Sequence, residues 1–224
     1  MKKYDNVYAK RFGYFNVYVI RGTDGDILID TGFIGIKRSL KKWLDNFNIK
    51  LIILTHAHVD HVWNVAYLKQ RYNCDVAISS LDVNNLDNTK INTKPCSKKH
   101  CGWTKMMAWG MKKFKQEPFE IDYLLKNNEI INKYDLKLKI ITLPGHTDGS
   151  IGILYKKYLF CGDALVNRKL NRVEIAYQNQ DNEKAKKSIN KILRHKPELI
   201  FVGHDKAIKL DKLKRTFYNK NKRI

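Results

Sequence analysis

The sequence predicts an α/β fold, and three features of the chain point there. Short apolar runs bounded by Gly, Asp and Asn alternate with stretches in which apolar residues recur every three to four positions. Apolar side chains make up 43% of the 224 residues, enough to pack the core of one domain over 1–224. Four apolar runs end in a His or an Asp: LIILTH at His56, KIITLPGH at His146, YLFCGD at Asp163 and LIFVGH at His204. Strands lying side by side bring their ends to one rim, which is where α/β folds place their chemistry.

Taken in order, Val17 and Val19, then Ile27, Leu28 and Ile29, read as strands separated by the turn GTDGD. IGIKRSLKKWLDNF follows, with Ile36, Leu40, Leu44 and Phe47 on one helix face and lysines opposite. KLIIL (50–54) is a buried strand, and VWNVAYLKQRY a helix with Val62, Val65 or Ala66, and Tyr72 inward. DVAIS (75–79) is the next strand. From about 84 to 120 the pattern breaks into a Lys-rich insertion, whose stretch Lys90–Lys115 holds eight lysines and no acidic residue. Its Trp103, Met106, Met107 and Trp109 need a surface to cover, either the mouth of a site, as a lid, or a second subunit in a homodimer. Strands resume with LKLKIIT and IGILYKKYLF. A helix over Asn182–His195 presents Ala185, Ile189, Ile192 and Leu193, ELIFVGH is the final strand, and the tail KRTFYNKNKRI is expected to fray.

The formal net charge of +21 admits a phosphate-rich partner, so nucleic acid is a conceivable ligand. The excess is lysine alongside abundant Asn and Ile, a composition that codon bias produces on any surface, and no RNA-binding module or helix-turn-helix pattern accompanies it. No run approaches the ~20 apolar residues of a membrane span. The N-terminal stretch lacks the apolar segment of a signal peptide, and cysteines at 74, 96, 101 and 161 are too scattered for a disulfide framework. The cytoplasm is the expected compartment. Cys96, His100 and Cys101 lie close together, at a spacing that matches no common zinc module.

The stretch HAHVDH, from His56 to His61, spends three of seven histidines within six positions. Chance produces such a string about once in two thousand chains of this composition. Imidazole and carboxylate are the ligands divalent transition metals take when thiolates are not used, and here small or apolar spacers separate them. Asp30 ends a fifth strand, DILID, and fits either an acceptor behind a ligand histidine or a turn-stabilising residue.

With these residues in place, the sequence resembles the metallo-β-lactamase fold superfamily. The shared pattern is His-x-His-x-Asp-His followed by separate His, Asp and His ligands: His56, His58, Asp60, His61, His146, Asp163 and His204. The resemblance runs from NVYVI and LIDTG through LPGHTDGS to FVGH. It implies an αββα four-layer sandwich, two mixed sheets face to face with helices outside. It also implies that His56, His58 and His146 hold one divalent ion and Asp60, His61 and His204 another, with Asp163 bridging. Zinc is the expected metal, iron or manganese the alternatives. A hydroxide shared by the ions would attack the substrate, and Asp60 would serve as the catalytic proton acceptor and donor.

Departures narrow the branch. Position 58 is His where the diiron flavoprotein oxygen reductases have Glu, and Asp163 stands where one β-lactamase subclass has Cys. Only twenty residues follow His204, which argues against the helical domain of glyoxalase II and its glutathione thioesters, and the length leaves no room for a nuclease clamp domain. The chain is most similar to compact glyoxalase-II-like and lactonase-like hydrolases of a small ester, thioester or lactone. A phosphodiesterase or RNA-processing nuclease, a mononuclear iron oxygenase of sulfur compounds, and a non-catalytic binding module are the competing readings. Phe33, Trp63, Trp103 and Trp109 are candidates for the pocket wall, or ordinary core and helix-face aromatics.

Overall fold

A computed structural model describes residues 1–87, 94–95, 116–168 and 172–221. The stretch Lys90–Lys115, with Trp103, Trp109, Cys96, His100 and Cys101, lies outside the described residues apart from a strand at Lys94–Pro95.

The first half of the chain builds a seven-stranded sheet. Its strands are β1 (Lys2–Tyr4), β2 (Val7–Phe12), β3 (Phe15–Arg21), β4 (Asp26–Ile29), β5 (Ile49–Ile53), β6 (Asp75–Ser79) and, beyond the two-residue β7 (Lys94–Pro95), β8 (Tyr123–Leu125). The second half gives a six-stranded sheet from β9 (Ile130–Lys133), β10 (Leu136–Thr142), β11 (Ile151–Tyr155), β12 (Tyr158–Phe160), β16 (Leu199–Phe201) and β17 (Ile208–Lys209). Short pairs β13 (Val166–Arg168) with β14 (Arg172–Glu174), and β15 (Gln178–Asn179) with β7, lie outside both sheets.

Strand periodicity explains the layering. Along β4, Ile27 and Ile29 face the second sheet, where they meet Leu138, Ile140, Phe160 and Phe201, while Leu28 turns outward against the helices. Strands buried on both faces read as unbroken apolar runs, which is why ILI and LIIL lack polar alternation. Helices α1 (Lys37–Leu44), α2 (Val59–Val62) and α3 (Val65–Tyr72) cover the outer face of the first sheet through Leu40, Leu44, Val65 and Leu68. Helices α4 (Asn182–His195) and α5 (Leu210–Asn221) cover the second through Ile189, Ile192 and Leu213. Four layers result, in the expected αββα order.

Three local expectations need correction. The single helix over 62–72 is broken at Trp63–Asn64, because Asn64 Nδ2 donates to Thr31 O (2.8 Å) and Phe33 O (3.2 Å), tying the loop after β4 to the start of α3. Leu68 then joins Val65 as a fully buried residue of α3, and Tyr72 packs half-buried against the same cluster. ELIFVGH is not the last strand, since β17 pairs antiparallel with β16 beyond it. The tail does not fray over its described part: α5 runs to Asn221, with Leu213 fully buried and Phe217 packed on the same cluster.

Candidate metal centre

Direction of travel decides where the donors meet. β4 and β5 are parallel, so Asp30 and His56 leave the first sheet at the same edge. β12 and β16 are parallel, and β10 points the same way because β11 is antiparallel to both β10 and β12, so His146, Asp163 and His204 leave the second sheet together. The rim is therefore shared by two sheets, where the apolar runs alone suggested one.

All seven predicted residues are brought together there. Donor atoms of His56, His58 and His146 lie within 4.8 Å of one another, as do those of Asp60, His61 and His204, and those of His56, His61 and Asp163. Asp163 sits between the groups, with Oδ1 3.5 Å from His61 Nε2 and Oδ2 3.7 Å from His146 Nε2 and 3.1 Å from His204 Nε2. Asp60 belongs to the first turn of α2 rather than to a loop, and its Oδ2 is 3.3 Å from His204 Nε2. The Asp60 and His204 side chains retain 19% and 23% of their exposure, which makes theirs the open side of the cluster. Close backbone approach completes the assembly. A Cβ at Gly203 would strike Asp163 Oδ1 and stand 2.5 Å from His61 Cε1, so only glycine fits before His204.

Backbone and side-chain acceptors orient the rings from behind. His61 Nδ1 is 2.7 Å from Asp30 Oδ2, His146 Nδ1 donates to Gln178 O (2.7 Å), and His204 Nδ1 donates to Tyr14 O (3.0 Å). His56 Nδ1 lies 3.1 Å from Thr55 Oγ1, whose proton goes to Asp30. Each contact fixes Nε2 as the atom facing the cluster. Of the two roles the sequence leaves open for Asp30, the structure shows the acceptor behind a ligand histidine: it backs His61, and its Oδ1 accepts from Thr55 N (2.8 Å) on the neighbouring strand end.

The donors fit divalent metal. Among the described residues, Nε2 of His56, His61 and His146 and Oδ1 of Asp163 are buried without a hydrogen-bond partner. Each such atom costs about 1–3 kcal/mol unless something electrophilic meets it. Protonation follows the same division. Burial pushes His58 down to about 3, with His146 adding to the push, and burial also lowers His56 and His146, so this trio offers neutral lone pairs. Burial opposes the charge on His61 too, but Asp30, Asp163 and Asp60 outweigh it and hold His61 up at about 9. His204 is raised against burial by Asp163 and Asp60. Burial favours protonated Asp60 and Asp163, yet the neighbouring imidazoles pull both below the usual carboxylate range. Protons on these histidines stand where a bound cation would replace them.

Residues 11–204 match the family model of the metallo-beta-lactamase superfamily. The chain belongs to the metallo-beta-lactamase superfamily. It is a metal-dependent hydrolase, from a superfamily that binds divalent metals. A probable metallo-hydrolase of Methanocaldococcus jannaschii is 34% identical over 158 residues, 69% of each chain. An acyl-coenzyme A thioesterase of Homo sapiens is 28% identical over 174 residues, and the match spans 69% of this chain but only 60% of the thioesterase. The superfamily protein of Sulfolobus tokodaii superposes with a TM-score of 0.71 at 19% identity, covering 96% of this chain and 85% of that one, a likeness of fold.

Around this superfamily site the structure adds residues that sequence reading did not single out. Phe15 packs edge-on to His204 (5.6 Å between centroids) and continues into Phe33 (5.7 Å) and then Trp63 (5.5 Å). The predicted wall residues Phe33 and Trp63 are thus joined in one half-buried row that starts at a candidate ligand. Phe15 carries no sequence signal beyond its place in a strand. Asp82 and Thr55 were likewise unmarked.

Proposed function

We propose that this chain is a two-ion hydrolase of a small acyl compound, with a thioester as the first substrate class and an ester or lactone as the alternatives. One observation carries the reading: two donor sets meet at the single carboxylate of Asp163, which lies 3.5 Å from His61 and 3.1 Å from His204 of one set and 3.7 Å from His146 of the other. His56, His58 and His146 would hold one ion and Asp60, His61 and His204 the other, with Asp163 shared. Nitrogen and carboxylate donors suit zinc, with iron or manganese as alternatives. When bound, such a pair lowers the pKa of a water toward about 7 and polarises the scissile carbonyl.

The chain's own residues supply the rest. Asp60, on the open side, accepts the proton of the attacking water and returns it to the departing thiol or alcohol. Phe15, Phe33 and Trp63 form an apolar wall for the acyl portion, which seven polar donors cannot provide. The similarity to an acyl-coenzyme A thioesterase supports the thioester. A net charge of +21 favours encounter with an anionic substrate of that kind. Among the described residues no helix is long and apolar enough to cross a membrane, and Cys74 and Cys161 are buried free thiols, which fits the cytoplasm.

Metal content together with a panel of an acyl-coenzyme A, a lactone and a phosphodiester tests the reading. Close to two metal equivalents and highest kcat/KM on the acyl compounds are expected. Turnover of the phosphodiester alone would sink it, as would one tightly bound iron with oxidation of a sulfur compound.

A further inference from the structure

Asp82 is fully buried yet lies on no strand that ends in a candidate ligand; it enters from the 3-10 turn Ser80–Leu86 that follows β6. Its Oδ2 accepts from Ala57 N at 2.7 Å and from Thr147 Oγ1 at 2.9 Å. Its Oδ1 accepts from Asn85 Nδ2 at 2.7 Å and from Gly149 N at 3.2 Å. Ala57 is the residue between His56 and His58, and Thr147 follows His146. One oxygen therefore joins the turn after β5, in the first sheet, to the turn after β10, in the second.

The network around it is directional. Thr147 N donates to Ser150 Oγ (3.0 Å), and that hydroxyl lies 2.7 Å from Thr147 Oγ1, so Ser150 donates to Thr147 and Thr147 donates to Asp82. Four donors arrive at two oxygens and no acceptor does, an arrangement that favours the carboxylate and opposes the burial that pushes Asp82 above its ordinary value. Close approach is built in as well. A Cβ at Gly149 would stand 2.5 Å from the Asp82 Cβ and backbone N. Asp30, by contrast, serves His61 directly and reaches His56 only through Thr55.

We propose that Asp82 is the positioning residue of the His56–His58–His146 set, locking the two ligand-bearing turns together so that three imidazoles face one point. The proposal rests on the two-ion reading above. Residues behind metal ligands change affinity by about 10- to 100-fold when replaced, and an amide at position 82 would turn an NH2 group toward one donor pair.

The test uses the full chain, stripped by chelator and titrated with Co2+ by calorimetry, so that affinity rather than turnover is read. In a His204→Ala background the remaining ion reports the His56–His58–His146 set; in a His58→Ala background it reports the other. Asp82→Asn is expected to weaken Co2+ binding about 10- to 100-fold in the first and less than about threefold in the second. Equal losses in both backgrounds would mean that Asp82 merely holds the fold together, and they overturn the proposal, as does no loss in either. Should Asp82→Asn not fold, Thr147→Val removes one donation to Oδ2 and keeps the carboxylate. It is expected to weaken the same set alone, and an unchanged affinity overturns the proposal. Failure of the two-ion reading shows separately, as an unsubstituted chain that takes up fewer than two equivalents while the comparison in the His204→Ala background still decides on Asp82.

Discussion

Asp60 combines two properties that rarely coincide: its carboxyl lies beside the imidazoles of His61 and His204 and the Asp163 carboxylate, and it still faces the opening. An amide there can neither accept nor return a proton. Asp60→Asn is expected to lower kcat by about 10²- to 10⁴-fold on the best substrate while the thermal melt stays close to that of the unsubstituted chain, because the side chain is not part of the apolar core. Near-normal turnover would remove Asp60 from the chemistry. At this scale the seven donors were legible because three of only seven histidines fall within HAHVDH, and because the ligand chemistry of imidazole with carboxylate is narrow. Asp82, Thr55 and Phe15 were not legible. Their residue types are ordinary, and their roles arise from contacts such as Asp82 with Thr147, 65 positions apart.

Among the elements, α4 and α5 show what periodicity can and cannot reveal. α4 matches its expected span, since Ala185, Ile189 and Ile192 repeat at helical spacing and Asp181 Oδ1 caps the end by accepting from Glu183 N (2.8 Å) and Lys184 N (2.9 Å). The tail KRTFYNKNKRI reads as fraying because charge dominates its composition, and within α5 Leu213 and Phe217 are what packs on the apolar cluster. The second sheet supplies the surface that those two residues need. Leu213→Ala is expected to cost about 2–5 kcal/mol in urea unfolding, the range for a buried Leu whose cavity does not collapse. A loss below about 0.5 kcal/mol would show that α5 is not docked in solution.

For the whole molecule, the formal charge of +21 opposes compaction. Exposed lysines such as Lys37, Lys42 and Lys187 stud the outer helices of both layers. At 0.01 M salt the screening length is about 30 Å, long enough for charges across the domain to repel, and at 0.15 M it falls to about 8 Å. Raising KCl between these values is expected to raise the melting temperature, by about 2–4 °C for each kcal/mol of repulsion removed. Local pairs such as Lys41 and Arg71 on Asp45 (2.9 and 2.8 Å) are weakened by the same salt, so a flat or falling melting temperature would show that they dominate.

The candidate donors, the strands that deliver them and, through the spacing of HAHVDH and its three distant partners, the superfamily are all legible in the order of amino acids. These follow from side-chain chemistry and from periods of 2 and 3.6 residues, which act between near neighbours in the chain. Four features come from the folded arrangement alone: the rim belongs to two sheets, Asp163 faces both donor sets, Asn64 breaks a helix to hold the loop after β4, and Asp82 ties one ligand turn to another. The reason is packing. Which turn lies against which is set by burying Ile27, Ile29, Leu138 and Phe160 in one core, and no local pattern records that choice.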